Sequence, residues 1–306
     1  MSDARRSAGG SQVTARPTPP LPGPVLAALL TQTALAAGTY LAAKRATASF
    51  QPQVLLVLRL LASGGLFAVV MAVRRQWPRR ADWGRVLALG FLGGPVNQGL
   101  FLAGLALSQA THGGLLYALT PAGVALLGVA LGRERASPRR ALGIAVAFAG
   151  VAALMVGRGL EVSRGPLVGD LLILGAVAAW VVVTTESRAF AAREGGLPTA
   201  GWLLVAGGLW ALPAAPFVVP WTALGAVDPV GWACLAYLVL FTSIASYLLW
   251  NYALARVEAS RVAVFSNLQP VATAVLAWGL LGEPLTVDFA LGTALVLAGV
   301  RLAQRP

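Results

Sequence analysis

The chain of 306 residues is 58% hydrophobic and 11% charged, and its mean hydropathy of +0.76 exceeds what a water-exposed globular surface tolerates. These values indicate an integral membrane protein and exclude an ordinary soluble domain. The formal charge of +12 does not require nucleic acid as a partner, because the basic residues form short clusters between apolar runs. We therefore expect the lipid bilayer, whose anionic surface attracts such clusters, as a partner, and no nucleic acid.

The chain is poor in side chains for covalent or metal chemistry. It has one cysteine, Cys234, and one histidine, His112. A single cysteine cannot form an intramolecular disulfide, and neither residue has the partners of a metal site or of a Ser-His pair. The sequence also lacks a GxxxxGK[ST] phosphate-binding loop. We expect no catalytic residues, no metal and no cofactor, and therefore neither an enzyme nor an ATP-driven pump.

The predicted elements begin after residues 1–24, which are rich in Arg, Ser, Gly and Pro and predict a disordered cytoplasmic tail. Beyond them, apolar runs alternate with charged or Pro/Gly-rich joints. Because a bilayer core of about 30 Å needs about 20 apolar residues per helix, these runs predict ten transmembrane helices. In chain order they cover residues 25–44, 53–73, 84–107, 112–132, 139–157, 166–186, 198–219, 230–254, 260–281 and 286–303.

The basic residues predict the orientation of these helices. If the N-terminus is cytoplasmic, most of the 23 Lys and Arg residues fall in cytoplasmic segments. The other side receives only Lys44, Arg45, Arg158 and Arg164, while Arg59 lies within a span. This asymmetry favours both termini in the cytoplasm, which agrees with an even number of helices.

A stretch near the middle of the chain recurs near its end. The sequence LGRERASPRRALGIAVAFAGV at 131–151 aligns without a gap to LLGEPLTVDFALGTALVLAGV at 280–300, and Glu134 matches Glu283. An offset of 149 residues superposes the third, fourth and fifth predicted helices on the eighth, ninth and tenth. A chance likeness between Gly/Ala-rich helices is the alternative, but such helices rarely hold a gapless register.

The offset predicts two repeats of five helices, at residues 25–157 and 166–303. Because five is odd, the second copy must enter the membrane from the opposite side. The fold class is therefore all-α integral membrane, with ten transmembrane helices built from two inverted five-helix repeats. Secondary transporters built on this plan hold their substrate near mid-membrane between the repeats.

Polar and aromatic stripes mark the third and eighth predicted helices. Positions at helical spacing share a face, and unsatisfied polar groups are costly in lipid, so these stripes should face protein or water. Hydrogen bonding that only holds the helices together is the alternative. The third-helix stripe is Gly94, Asn97, Gln98 and Phe101, and its repeat mates are Ser243, Ser246, Tyr247 and Trp250.

Two prolines occupy matching places in the fourth and ninth predicted helices. Pro121 and Pro270 are repeat mates, and each lacks an N–H and obstructs the carbonyl four residues earlier. Helix breaks at corresponding positions of two repeats point to a central site. Tyr117, Ser266 and Gln269 lie on the same helical faces and are candidate substrate-binding residues. A simple packing kink is the alternative for either proline.

Tyr40 and Trp180 lie deep in the first and sixth predicted helices, where their ring faces can meet a planar or cationic solute. Trp250 also lies away from its helix end. Packing within the core or against lipid is the alternative for each. The tryptophans near helix ends fit anchoring at the membrane interface instead. These are Trp77, Trp83, Trp202, Trp221 and Trp232.

Charged residues near the helix ends are expected to serve structure. Arg59 is two turns from the outer end of its span, so we expect it to snorkel or to cap a neighbouring helix, with a substrate carboxylate contact as the alternative. Glu134 and Glu283 close the fourth and ninth spans, where we expect them to fix loops. The sequence shows no carboxylate at a span centre, so a proton carrier is not evident.

These residues resemble a known family. The pattern LLGEPLTVDFALGTALVLAGV, its degenerate first copy, Arg59, Pro121 and Pro270 resemble the paired EamA-type repeats of the drug/metabolite transporter superfamily. More narrowly, the whole chain is similar to YddG-type aromatic amino-acid exporters of the bacterial inner membrane. The resemblance implies alternating access at a cavity lined by the first, third, fourth, sixth, eighth and ninth helices, and export of amino acids and related metabolites.

We therefore expect a monomeric secondary transporter that exports small amphipathic metabolites, with aromatic or hydrophobic amino acids as the expected substrates. Its halves would rock about joints such as Gly93-Gly94 and Gly207-Gly208. A transporter of another metabolite or of a drug cation, and a non-transporting membrane scaffold, are the alternatives. Phosphorylated sugars would need a stronger cationic clamp than Arg59 and Lys44 provide.

Overall fold

The computed structural model describes residues 21–132, 138–156 and 164–304. Within these ranges the chain is helical apart from short turns and joints, and contains no strand. Ten long helical segments follow one another. They are α1 (Gly23–Ser49), α2 (Pro52–Arg74), α3 (Arg80–Leu107), α4 (Ala110–Ala130), α5 (Pro138–Val156), α6 (Arg164–Glu194), α7 (Gly196–Val218), α8 (Pro229–Leu254), α9 (Arg261–Leu281) and α10 (Val287–Gln304).

Eight of these segments in the described part of the chain are long and apolar enough to cross a membrane. The other two, α5 and α10, contain shorter apolar stretches, Ala141–Gly150 and Val287–Gly299. The predicted all-α, ten-helix membrane fold is confirmed. The predicted end of α6 at residue 186 is wrong, because the helix continues to Glu194 and carries its charged residues beyond the apolar run.

Helix α4 is broken at its proline, and α9 changes geometry at the matching place. In α4 the helix ends at Tyr117 and starts again at Thr120, with Pro121 in its first turn. In α9 a 3-10 turn covers Val264–Leu268, and a new helix starts at Gln269 with Pro270 in its first turn. Both prolines therefore occupy the position where a missing N–H costs no helical hydrogen bond.

Wide π-helical turns interrupt α3 and α8 at matching positions of the repeat. They cover Leu92–Val96 and Leu238–Ser246. Pro95 lies in the first turn, where its missing N–H prevents the regular hydrogen bond. The wide turn shifts Gly94 to a different face of the helix from Asn97, Gln98 and Phe101. Gly94 therefore packs on α7 and does not line the cavity with the other three residues. Such wide turns are frequent at functional sites.

The repeated sequence forms the contact between α5 and α10. A Cβ on Gly299 would lie 2.3 Å from the Ala147 nitrogen and 2.6 Å from the Gly143 oxygen. A Cβ on Gly150, its repeat mate, would lie 2.8 Å from the Val296 nitrogen and 2.9 Å from the oxygen of Gly292. Each copy thus makes the same contact with the other, as a two-fold relation requires, and only glycine permits this approach.

The other helices pair in the same two-fold manner. Helix α2 packs on its repeat mate α7, and α4 packs on its mate α9. Helix α3 packs on α6, and correspondingly α8 packs on α1. An exchange of the two halves therefore maps these helix contacts onto one another.

Small residues let α7 approach its neighbours closely. A Cβ on Gly64 of α2 would lie 2.9 Å from the Gly208 Cα, and a Cβ on Gly94 would lie 3.1 Å from the Gly207 Cα. Such contacts between small residues are typical of helix packing in membranes, where van der Waals packing drives association. The glycines predicted as joints are thus packing surfaces in the structure.

Hydrogen bonds between buried side chains also join the two halves. The Tyr40 hydroxyl donates to Gln269 Oε1 at 2.7 Å. Gln32 Nε2 donates to Ser246 Oγ at 3.2 Å, and the hydroxyl oxygens of Thr39 and Thr242 lie 2.8 Å apart. Because lipid offers no hydrogen-bond partners, these contacts satisfy polar groups that the fold buries.

The glycine contact predicts an asymmetric response to added methyl groups. Gly299→Ala places a Cβ against backbone atoms, so we expect a loss of about 1–3 kcal/mol in stability from overpacking. Gly279→Ala is the matched control, because a Cβ there meets nothing within 4 Å. Thermal unfolding in detergent, followed by tryptophan fluorescence, should show a lower midpoint for Gly299→Ala alone. Equal midpoints would contradict the contact.

The bond between Tyr40 and Gln269 predicts coupling across the halves. We expect Tyr40→Phe and Gln269→Leu to be non-additive by about 0.6 kcal/mol, the average found for such bonds in membrane proteins. The measurement is a double-mutant cycle of the free energies of unfolding. Strict additivity would show that the two side chains do not stabilise each other.

Candidate functional site

A cavity of about 110 Å³ lies between the two halves. Every helix except α5 and α10 contributes to its described lining, so α2 and α7 join the six helices expected from the resemblance. The lining consists of Gln32, Ala36, Thr39, Tyr40, Arg59, Asn97, Gln98, Phe101, Tyr117, Trp180, Leu204, Thr242, Ser243, Ser246, Tyr247, Trp250 and Gln269.

The cavity brings together ten of the eleven predicted substrate-binding residues, all of which are described. These are Tyr40, Asn97, Gln98, Phe101, Tyr117, Trp180, Ser246, Tyr247, Trp250 and Gln269. Ser266 does not line it and is 1% exposed. Ser266 lies in the 3-10 turn before Gln269, where fewer residues per turn change the direction of successive side chains. The α-helical face assumed for Ser266 was therefore wrong.

The structure adds a stripe on α1 that the sequence reasoning missed. Gln32, Ala36, Thr39 and Tyr40 all line the cavity and lie at helical spacing. The periodicity that identified α3 and α8 could have found this stripe too. Leu204 and Thr242 gave no comparable signal, because each looks like an ordinary membrane residue in its own sequence context.

Aromatic rings form two groups in the cavity wall. Tyr40, Phe101 and Tyr117 meet edge to face, with ring centroids 5.7–5.9 Å apart. Trp180 packs on Tyr247 and on Trp250 at centroid distances of 5.7 Å. Trp250 is buried inside the bundle, so it does not anchor the protein in the lipid interface. The two groups present ring surface to a solute from both halves of the chain.

Asn97 fixes one of these rings. Its Nδ2 donates to the Tyr117 hydroxyl at 2.9 Å and to the Ala176 carbonyl at 2.7 Å. Two donated bonds hold the amide in one orientation, since both of its hydrogens are used. Asn97 thereby joins α3 to α4 and α6 and positions Tyr117 beside the cavity.

Arg59 differs from its expected role. It is 4% exposed, lines the cavity, and donates from Nε to Ser243 Oγ at 2.8 Å. It therefore does not snorkel to the membrane surface. Sequence depth alone suggested snorkelling, because the stripe on α8 that carries Ser243 lies far away along the chain and cannot be placed without the fold.

Glu283 connects the C-terminal end of α9 to the N-terminal end of α4. Its two carboxylate oxygens accept hydrogen bonds from Ala110 N and Thr111 N at 3.0 and 3.1 Å. A carboxylate at a helix N-terminus satisfies otherwise unpaired N–H groups and complements the helix dipole. Glu134, its repeat mate, lies outside the described residues.

Lys44 and Asp228 bring further polar contacts to the same end of the bundle. Lys44 Nζ donates to the Leu105 carbonyl at 3.0 Å, which joins α1 to α3. Asp228 forms an ion pair with Arg45 and lies outside the spans, where hydrogen bonding from Ser49 lowers the pKa of its carboxyl. These contacts hold α1 to α3 and α8 beyond the cavity.

One other residue differs from its sequence expectation, and a buried pair joins two further helices. Trp202 is 4% exposed and donates from Nε1 to the Gln76 carbonyl at 2.9 Å, so the expected interface anchoring is wrong for this residue. Asp170 is buried and lies 3.1 Å from His112 Nδ1, which joins α6 to α4. Among the described residues, no group of three or more His, Cys, Asp or Glu side chains is placed to hold a metal ion.

Comparison with known proteins relates this architecture to a transporter family and to a solved structure. The EamA-like transporter family model matches the chain twice, at residues 23–156 and 167–304. A solved crystal structure of a protein superposes with a TM-score of 0.66 at 21% identity, over 90% of this chain and 98% of that one. This likeness concerns the fold.

Curated relatives are named as transporters. The uncharacterized transporter YyaM of Bacillus subtilis is 28% identical over 71% of this chain and 72% of its own length. An uncharacterized transporter of Archaeoglobus fulgidus is 28% identical over 87% of this chain and 93% of its own. A probable terminal-alkyne amino-acid exporter of Streptantibioticus cattleyicolor is 29% identical over 77% of each chain. Together with the two family matches, these relatives show that the chain belongs to the EamA-like transporter family.

Proposed function

We propose that this protein is a secondary transporter that exports small amphipathic metabolites, with aromatic or hydrophobic amino acids as the best-fitting substrates. The observation that carries this proposal is the cavity between the two halves, which combines ring surfaces with neutral hydrogen-bonding groups. A transporter must bind its solute weakly enough to release it. A site of this composition suits a solute with one apolar and one polar end.

The aromatic lining supports a solute with a flat or bulky apolar part. Tyr40, Phe101 and Tyr117 offer ring edges and faces on one side, and Trp180 and Trp250 do so on the other. Contacts with such rings contribute beyond area burial, by about 0.5–1.5 kcal/mol per ring pair. The amides of Gln32, Gln98 and Gln269 supply the polar counterpart.

Kinship gives independent support for the substrate class. The relative from Streptantibioticus cattleyicolor is named as a probable exporter of an amino acid with a terminal alkyne. At 29% identity this similarity motivates amino acids as the first substrates to test.

Alternating access is proposed to follow from the inverted halves. The two-fold contacts of α5 with α10 and of α2 with α7 let one half tilt against the other while the cavity stays between them. We propose the units 25–157 and 166–303 as the moving halves of a monomer.

The proposed location is the bacterial inner membrane, with both termini in the cytoplasm. The support is the concentration of Arg residues in the segments assigned to that side. The predicted cytoplasmic tail would then end before α1, which starts at Gly23 instead of at residue 25, and residues 1–20 of that tail lie outside the described residues.

Two alternatives are distinguished by experiment. A transporter of another metabolite or a drug cation would share the cavity but prefer a cationic solute, drawn by the rings through cation–π contacts. A non-transporting scaffold would bind or assemble without moving solute. Flux measured with purified protein in sealed vesicles separates the scaffold from either transporter.

Counterflow in proteoliposomes tests transport itself. Vesicles loaded with one unlabelled amino acid at a time should accumulate labelled phenylalanine when the internal amino acid is a substrate. We expect accumulation with aromatic and large aliphatic amino acids, and little with small or charged ones, because only the former fill the aromatic lining. Absence of accumulation with all twenty, with and without a pH gradient, would refute the proposal.

Substitutions in the cavity test the site. Trp180→Ala and Gln269→Ala should raise the apparent KM for phenylalanine by roughly two- to tenfold, because each removes a contact in the wall. Trp278→Ala is the control for loss of a tryptophan, since Trp278 is 62% exposed on α9 and does not line the cavity. Membrane level must match wild type, and the kinetics of each variant are measured well below its own melting midpoint. Unchanged kinetics in both site variants would remove these residues from the substrate site.

A further inference from the structure

Arg59 is a cation in the cavity wall, and none of the described residues places an anionic group beside it. Among the described lining residues it alone carries a charge near neutral pH, and the lining contains no carboxylate. Its Nε is bound to Ser243 Oγ, whereas its two terminal nitrogens make no hydrogen bond or ion pair with any described residue. Because the side chain is almost fully buried, the N–H groups of these two nitrogens are hydrogen-bond donors that lack an acceptor among the described residues.

The burial of the Arg59 charge without a counter-ion is energetically unfavourable. Removing a cation from water without a counter-ion costs several kcal/mol in proteins, and more so in a membrane. An anion entering the cavity would therefore gain an interaction that no protein group supplies. The guanidinium presents parallel N–H groups that match the two oxygens of a carboxylate.

We infer that Arg59 binds the carboxylate of the transported solute, so that the cavity selects monocarboxylates over amines of the same shape. The inference rests on the proposed function and adds the charge that the substrate must carry. A single cation suits a monoanion, whereas a phosphate dianion would call for a second positive group in the described lining, where none is present.

The remaining polar atoms indicate where an amino group would bind. Gln32 Oε1 and Gln98 Oε1 are buried acceptors that have no partner among the described residues, and both residues line the cavity. The amide of Gln32 is already oriented, because its Nε2 donates to Ser246. A protonated amine can donate to these carbonyls while its carboxylate binds Arg59 and its apolar part meets the rings.

The substrate class is therefore an α-amino acid, or a related monocarboxylate, with an aromatic or large apolar side chain. An amine that lacks the carboxylate would place its positive charge in the same cavity as Arg59. Like charges in a medium of low dielectric repel strongly. The aromatic rings alone would therefore not make this a site for cations.

The test compares four probes that share one ring: L-phenylalanine, 3-phenylpropionate, phenethylamine and L-phenylalaninamide. Each is assayed as a competitor of labelled phenylalanine uptake by wild-type protein in proteoliposomes. We expect phenylalanine and phenylpropionate to inhibit at concentrations about tenfold or more below those of phenethylamine and phenylalaninamide, as loss of a hydrogen bond to a charged group predicts. This comparison needs no variant and is independent of folding.

Variants then assign the preference to Arg59. Arg59→Gln should abolish the preference for carboxylates. Arg59→Lys should reduce it, because an ammonium keeps the charge but lacks the paired N–H groups that bind both carboxylate oxygens. Arg74→Gln, at the exposed cytoplasmic end of the same helix, should leave the preference unchanged. The readout is the ratio of inhibition by acid and by amine, which a general loss of protein does not alter.

The outcomes separate the inference from the proposed function. If amines inhibit as well as carboxylates in wild type, or if Arg59→Gln keeps the full preference, the inference is wrong while aromatic transport stands. If labelled phenylalanine is not transported and no probe drives flux, the proposed function fails and the inference fails with it. A carboxylate preference that depends on Arg59 supports both.

Discussion

The close approach of the two halves through glycine is the constraint on which the rest of this structure depends. In lipid, helices gain little from burying apolar surface against each other, so association requires close packing and satisfied polar groups. The reciprocal contacts of Gly150 and Gly299 bring α5 and α10 together about the two-fold relation. Gly207 lets α7 approach α3 closely, and Gly208 lets it approach α2. These contacts explain why one chain carries the same sequence pattern twice.

The cavity is a consequence of how the remaining helices are shaped between those contacts. The break in α4, the 3-10 turn in α9 and the π turns in α3 and α8 occupy matching positions in the two halves, where regular helices would pack tightly. Irregular backbone at membrane depth persists where protein or a cavity surrounds it. Polar side chains at these places hydrogen-bond across the halves, as Tyr40 does to Gln269. The proposed solute site uses the groups that these contacts leave available.

Much of the fold follows from the sequence because lipid imposes simple rules. Hydropathy and the repeat predict ten helices, and helical spacing on α3 and α8 groups side chains that the structure places around one cavity. Local geometry was less predictable. The 3-10 geometry places Ser266 outside the cavity lining, and the π-helical turn places Gly94 against α7. The position of Arg59 depended on Ser243, a partner distant in sequence, so depth along the helix gave the wrong environment.

Side-specific labelling of a single cysteine tests the central claim, that the cavity binds solute and is reached in turn from both membrane faces. Ser246→Cys in a Cys234→Ala background places the only thiol in the cavity wall. In oriented vesicles, an impermeant thiol reagent should modify this position when added on either side, and saturating phenylalanine should slow both reactions. Modification from one side only under all conditions, or rates that phenylalanine does not change, would contradict the account.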